Sequence, residues 1–276
     1  MSTLPERADV VVVGGGAVGT SIAFHLAEAG VDVCLLERDS LSSGSTSRAA
    51  GGIRTQFSDP LNIAIGLRSV EAFTHFAERP GGEIDFHQVG YLFLLDRPDD
   101  VAVFEESVAV QNGLGVPSRL VQPAEAAKLS PLAGLDDVLA ATYCPLDGHA
   151  SPEAVAQGYA AGARAHGAAV ITGSEATAIE ADAGRVKAVV TDDGTIETGA
   201  VVCAAGVWSP HLARTAGVDL PVEPVFREVV TTAPVAGLPA QIPLTVDFTT
   251  GFYFHREGPG LLIGMADRNQ LPGFDA

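Results

Sequence analysis

The sequence predicts an α/β fold built on a parallel sheet, and three local observations predict it. A β-branched strand, Val10 to Val13, runs straight into Gly14-x-Gly16-x-x-Gly19. An amphipathic run follows, with Ile22, Leu26 and Ala29 at helical spacing and Gly30 as its terminator. A second strand, within "VDVCLLE", ends on the acidic residue Glu37.

Each element has a physical reason. Four consecutive valines suit a central strand buried on both faces, where there is no polar face to alternate with. The glycines divide three tasks: a tight turn, a close approach of backbone to a ligand, and close packing of helix on strand. The helix N-terminus that follows presents free N–H groups and the positive end of its dipole, a setting for phosphate. Glu37 stands where a carboxylate accepts hydrogen bonds from a ribose and repels a 2′-phosphate. Strand, glycine turn, helix, strand and acid together define a Rossmann-like dinucleotide site that includes Gly14, Gly16, Ala17, Val18, Gly19 and Glu37. They disfavour NADP and leave FAD and NAD both open.

Composition narrows the class. The 276 residues are 47% hydrophobic and 18% charged, enough for a substantial packed core. A net charge of −18 argues against nucleic acid or an anionic membrane as partner. Cys34, Cys144 and Cys203 are scattered and the histidines lack ligand spacing, so neither a disulfide framework nor a metal site is expected. The first nine residues are too polar for a secretory signal and the next apolar run is broken by glycines; no membrane span and a cytoplasmic setting are expected.

After Glu37-Arg38 comes "DSLSSGSTSRAAGGIRTQF", glycine- and hydroxyl-rich where an NAD-type domain continues with a helix and a strand. The run Gly44 to Arg54 resembles the flavin-contacting loop of the FAD-dependent amine and amino-acid oxidoreductases, the group of D-amino-acid oxidase, sarcosine oxidase and dimethylglycine dehydrogenase. A second motif, "IETGAVVCAAGVWSPHLA", resembles that family's strand-turn-helix returning to the FAD, with Ala205 and Gly206 close to the cofactor. Between the two motifs a meander with turns at Asp182-Ala183-Gly184 and Asp192-Asp193-Gly194 is expected. In relatives the residue at the Ala176 position contacts adenine through its backbone.

The resemblance implies a Rossmann-like, glutathione-reductase-like FAD-binding domain interleaved with an antiparallel-sheet α+β substrate domain. The FAD part takes residues 1–80 and 148–215, and the substrate part takes 81–147 and 216–276. "SPEAVAQGYAAGARAHG" fits the first part as a helix capped by Ser151 and ended by Gly167. "TTGFYFHREGPGLLIGMAD" fits the second as a hairpin turning at Gly258-Pro259-Gly260. Family members continue past the point where this sequence stops, with a closing glycine-rich segment over the flavin. The substrate part is therefore expected to be incomplete here, or completed by a partner subunit.

The implied chemistry is oxidation of a C–N bond by hydride transfer to the flavin, with oxygen or a redox carrier as electron acceptor. Arg54 aligns with the family arginine that pairs with a substrate carboxylate, a task suited to a two-pronged guanidinium; a local salt bridge to Asp59 is its other reading. Arg48 stands where dimethylglycine-dehydrogenase-like relatives carry a histidine bonded to the flavin, so non-covalent FAD is expected. Ser45 and Thr46 serve either as phosphate donors or as loop caps. Arg38, Ala50, Gly51, Gly52 and Trp208 complete the expected cofactor set, packing being the alternative for Trp208. Tyr253 and His255, two apart on one strand, share a face and serve either the amine or cross-strand packing. Leu262 stands where monomeric sarcosine oxidases carry an oxygen-activating lysine, which leans toward a dehydrogenase or a different oxygen site. A non-catalytic or partial subunit of a larger oxidoreductase is the competing reading of the whole chain.

Overall fold

The computed structural model describes residues 4–267 and 269–274. The elements that position the site are β1 (Val10–Val13), α1 (Ala17–Glu28), β2 (Val33–Glu37), β3 (Gly52–Ile53), α2 (Pro60–Thr74) and β4 (Tyr91–Leu95). β1 lies between β2 and strand Ala200–Cys203, and strand Ala169–Thr172 flanks β2. All three pairings are parallel, as the buried valine run predicts.

The two faces of this sheet bury different layers, which is why β1 alternates nowhere. Val12 and Leu35 pack with Phe24, Ala23 and Ala27 of α1 and with Val155, Tyr159 and Ala163 of helix Pro152–Ala165. Val11, Val13 and Leu36 pack with Ile179, Val189 and Ile196 of the antiparallel meander and with Leu212. Each fully buried side chain of this size contributes about 1.5–3 kcal/mol through removal from water. Helix Pro152–Ala165 starts as expected: the Ser151 hydroxyl accepts from the Ala154 N–H at 3.2 Å, and Gly167 takes φ +94° beyond the other end. The meander's first turn has Ala183 at φ +48° and Gly184 at φ +75°. Two successive left-handed residues match the twist of a two-residue hairpin.

The second layer is a seven-stranded sheet in the order Val229–Thr231, Gly260–Met265, Phe252–Glu257, Leu244–Asp247, β4, Ala140–Cys144, Arg119–Val121. Phe252–Glu257 and Gly260–Met265 form the expected hairpin. The sheet is antiparallel except at its centre, where Leu244–Asp247 runs parallel to β4. That parallel pair is the one exception among the described strands of the expected antiparallel sheet, and it joins strands far apart in sequence that no local turn connects. β3 pairs with Gly148–His149 in a short antiparallel ribbon between the two layers. α2 was not anticipated either. Its start is nonetheless conventional: the Asp59 carboxylate accepts from the Asn62 N–H at 3.0 Å, with Pro60 in the first turn. Among the described residues no helix is long and apolar enough to cross a membrane, and no cluster of His, Cys, Asp and Glu could hold a metal ion.

Candidate functional site

The first part of the site is the turn from β1 into α1. Gly14 has φ +114°, and a Cβ there would press into the Ala204 carbonyl of the neighbouring strand. Its N–H donates to Leu36 O at 2.8 Å, which fixes the turn between β1's two neighbours. A Cβ on Gly19 would overlap the Gly14 carbonyl oxygen itself, so helix and turn approach as closely as backbone allows. Over Gly16 the nearest atom is the Thr46 hydroxyl, 2.8 Å from where a Cβ would sit. The same hydroxyl accepts from the Ala17 N–H at 3.1 Å. Thr46 thus caps the first turn of α1, at the donors a pyrophosphate would use.

The Glu37 carboxylate is held on both oxygens, by the Gly15 N–H at 2.7 Å and the Asp39 N–H at 2.9 Å. Each oxygen keeps lone-pair capacity for ribose hydroxyls. Around these groups lies a cavity of about 900 Å³. Of the expected cofactor residues, Gly14, Gly16, Ala17, Val18, Glu37, Arg38, Ser45, Thr46, Ala176, Ala205, Gly206 and Trp208 line it. The Arg38 guanidinium lies 4.2 Å from the Trp208 ring centre and 3.2 Å from Asp39. Together they build a flat wall at the ribose end. The glycine cradle, the helix terminus and the anchored carboxylate fit the ADP half of FAD on geometry alone.

Other expected cofactor residues stand elsewhere. Gly19 packs helix on turn and does not line the cavity. Arg48 is exposed on a short helical turn, Thr46–Arg48. Gly51, at φ +68°, is pressed on the Ala150 carbonyl, and Gly52 lies under the Tyr91 hydroxyl. Those two glycines answer to protein packing. They let the loop pass between the two layers, and their smallness is explained without a ligand.

The second part of the site lies beyond that loop, on one face of the seven-stranded sheet. Cross-strand register places Gly264, Tyr253, Val246 and Phe93 in one row, with Tyr91 two residues from Phe93 and ring-stacked on it at 5.6 Å. The Arg54 guanidinium sits 4.4 Å from the Phe57 ring centre and 5.5 Å from that of Phe93. Among the described residues Arg54 makes no ion pair, and Asp59, its expected local partner, is committed to capping α2. Burial pushes the Tyr91 phenol up to about 12, with Arg54 pulling the other way. Burial raises Tyr253 as well, so both phenols are neutral donors at physiological pH.

Beneath Arg54 lies a polar cluster that the sequence did not reveal. Asp147, fully buried, accepts from the Thr55 N–H at 2.7 Å, the Thr55 hydroxyl at 2.5 Å and the Gln56 amide at 3.2 Å. Burial pushes its carboxyl upward and the Thr55 and Gln56 hydrogen bonds pull it back. Its only sequence signal is an acid before glycine in "PLDGHAS", which reads as an ordinary turn.

Of the two roles expected for His255, its surroundings fit packing rather than the amine. Its ring is 1% exposed, with Nδ1 at 2.7 Å from Arg256 O and Nε2 at 2.9 Å from Ala50 O. Both nitrogens are turned to backbone carbonyls, so neither points toward an incoming amine. The ring instead ties the glycine loop, through Ala50, to the sheet. It also stacks on His149 at 4.2 Å, and His149 lies tilted against the exposed His87 at 5.1 Å. Burial, then repulsion from His255 and His87, lowers His149 from 6.5 to about 3.

A histidine held neutral only in the folded state contributes stability above its unfolded value. That contribution drains away as pH falls from about 6.5 toward 3. The unfolding free energy should therefore drop by on the order of 2 kcal/mol between pH 7 and pH 5 through this residue. His149→Gln should remove that part of the slope. Asp147, whose carboxyl is raised, acts in the opposite sense at lower pH and equally in both proteins. Parallel slopes in urea melts of the two proteins would refute the assignment.

A parallel sheet carrying a dinucleotide cradle, set beside a seven-stranded mixed sheet with Arg54 on the loop between them, is the arrangement of a dinucleotide-dependent oxidoreductase fold. The family model for FAD dependent oxidoreductases matches residues 9–276, and the chain belongs to that family. Its cofactor is FAD. Rat (Rattus norvegicus) mitochondrial dimethylglycine dehydrogenase is 33% identical over 264 residues, covering 94% of this chain and 31% of the relative. Mouse (Mus musculus) mitochondrial sarcosine dehydrogenase is 31% identical over 275 residues, 97% of this chain and 30% of the relative. The chain thus spans about a third of the length of these curated relatives. The crystal structure of L-proline dehydrogenase from P. horikoshii superposes with a TM-score of 0.92 at 35% identity, covering 99% of this chain and 73% of that one.

Proposed function

We propose that this chain supplies the FAD site and substrate wall of an oxidoreductase that oxidises the C–N bond of an amino acid or an N-methylated or other secondary amine. The observation that carries the reading is the Arg54 guanidinium, without an ion-pair partner among the described residues, held by Phe57 and Phe93 beside the glycine loop. A planar cation with its fork free suits a carboxylate. The dehydrogenases named above act on dimethylglycine, sarcosine and proline, all of which carry a carboxylate on the carbon attached to the nitrogen.

When bound, FAD supplies the hydride-accepting chemistry. Arg54 would take the substrate carboxylate and so fix the α-carbon. Tyr91 and Tyr253 would close the wall and exclude water, their neutral phenols favouring the uncharged amine over the ammonium ion. Gly14, the α1 N-terminus and Glu37 would hold the nucleotide end, and Arg48 offers no nucleophile for a covalent link. Leu262, buried opposite His255 in the hairpin, brings no cation to the site. That supports a redox carrier over oxygen as electron acceptor. Three cysteines without a disulfide among the described residues fit a reducing compartment, and a cytoplasmic setting is part of the same proposal. A partner subunit belongs to the same reading.

The purified protein is expected to show a flavin absorption spectrum, with all of the flavin released by acid. Anaerobic addition of an N-methyl amino acid is expected to bleach it. A colourless protein that binds NAD would overturn the proposal.

A further inference from the structure

The substrate anchor is only as good as whatever fixes its backbone. Arg54 lies over the Phe57 and Phe93 rings but has no carboxylate of its own among the described residues, and such contacts fix a guanidinium's distance from a ring more tightly than its direction. Direction comes from the next two residues. Thr55 and Gln56 are buried, at 0% and 6% exposure, and three of their donors converge on the Asp147 carboxylate. The Gln56 amide nitrogen also donates to Tyr91 O at 3.1 Å. From the other side, the Gly90 N–H donates to the Asp147 carbonyl at 2.8 Å. One residue therefore grips the exit of Arg54 and the start of β4, which carries Tyr91 and Phe93.

We propose that Asp147 is a positioning residue for substrate recognition, setting the Arg54 guanidinium against the Tyr91–Phe93 wall through Thr55 and Gln56. The proposal rests on the reading of Arg54 as the carboxylate anchor. A buried carboxylate is costly unless both oxygens are satisfied, and this one is satisfied by the two residues after Arg54. Asparagine cannot replace it. One end of its amide would face a donor, either Thr55 or Gln56, and Gln56 cannot turn over because its N–H groups are shared with Tyr91 O.

The test uses acetate, a carboxylate that cannot be oxidised, titrated into the FAD-loaded protein and read by perturbation of the flavin absorption. Dimethylamine, which lacks a carboxylate, is compared through KM and kcat for flavin reduction. Asp147→Asn and Thr55→Val are expected to weaken acetate binding by roughly 5- to 30-fold, the loss of one buried hydrogen bond. KM for dimethylamine should stay within about twofold, and flavin content should hold. Thr55→Ser, which keeps the hydroxyl, should restore acetate binding. Because Asp147→Asn risks misfolding, the Thr55 pair tests the same bond without touching the carboxylate. Acetate binding unchanged in Thr55→Val would overturn the proposal. So would equal losses for acetate and dimethylamine, which mark a general structural role. Arg54→Met separates the two levels: if it binds acetate as wild type does, the anchor reading itself fails and this proposal falls with it. If it loses acetate while Thr55→Val and a folded Asp147→Asn keep it, only the positioning role fails.

Discussion

Gly19→Ala is expected to yield protein with little or no bound flavin and a markedly lower unfolding midpoint. The added methyl would overlap the Gly14 carbonyl oxygen and meet the Ala204 Cβ at 3.3 Å. Neither neighbour can retreat cheaply. Gly14 is fixed at φ +114° with its N–H on Leu36 O, and the Ala204 N–H donates to Val13 O at 2.8 Å. The helix must therefore lift from the sheet, at a cost of about 1–3 kcal/mol for overpacking and more where backbone is struck. Lifting it also moves the N–H groups of α1 away from the turn, so flavin affinity should fall at least roughly tenfold for each 1.4 kcal/mol of lost alignment. Flavin-to-protein absorbance after desalting and a thermal melt check both effects. A variant with wild-type flavin content and midpoint would mean that helix and turn are not in the contact described.

Arg54→Lys is expected to lower kcat/KM for a carboxylated amine by roughly 10- to 150-fold while leaving the flavin spectrum unchanged. Lysine keeps the charge but loses the planar fork, and a charge-assisted hydrogen bond is worth about 1.5–3 kcal/mol. It also loses the guanidinium's contacts over the Phe57 and Phe93 rings. A simple amine has nothing to offer the guanidinium, so its turnover should change far less. Steady-state flavin reduction across N-methyl amino acids, imino acids and simple amines makes the comparison. Equal losses for both kinds of substrate would assign Arg54 to shaping the flavin side instead. No loss would leave it as a cation packed on two rings.

The parts of the site that were legible in the sequence are those whose physics is local. β1, the glycine turn, α1, β2 and Glu37 lie within one continuous stretch, and each residue's task follows from its neighbours a few positions away. The Ser151 cap and the Gly258 hairpin turn are of the same kind. Arg54 was legible through the motif that precedes it. Its freedom from Asp59 was not, since that depended on Asp59 capping a helix the sequence reading had not recognised.

What only the tertiary structure decided are pairings between distant positions. The Asp147–Thr55 bond spans 92 positions, and neither residue type is unusual where it stands. Tyr91 enters the site because β4 pairs in parallel with Leu244–Asp247, a register no turn announces. His255 shows the limit most clearly. Alternation puts it on the face of Tyr253 but leaves its role open between the amine and packing, and that choice turns on Ala50 O, 205 positions away, which faces one of its ring nitrogens. Local sequence determined the cradle for the nucleotide, since backbone conformation and helix ends are set by near neighbours. The substrate wall was decided by long-range packing, since the groups that hold Arg54, Tyr91 and His255 meet only when the two sheets close on the glycine loop.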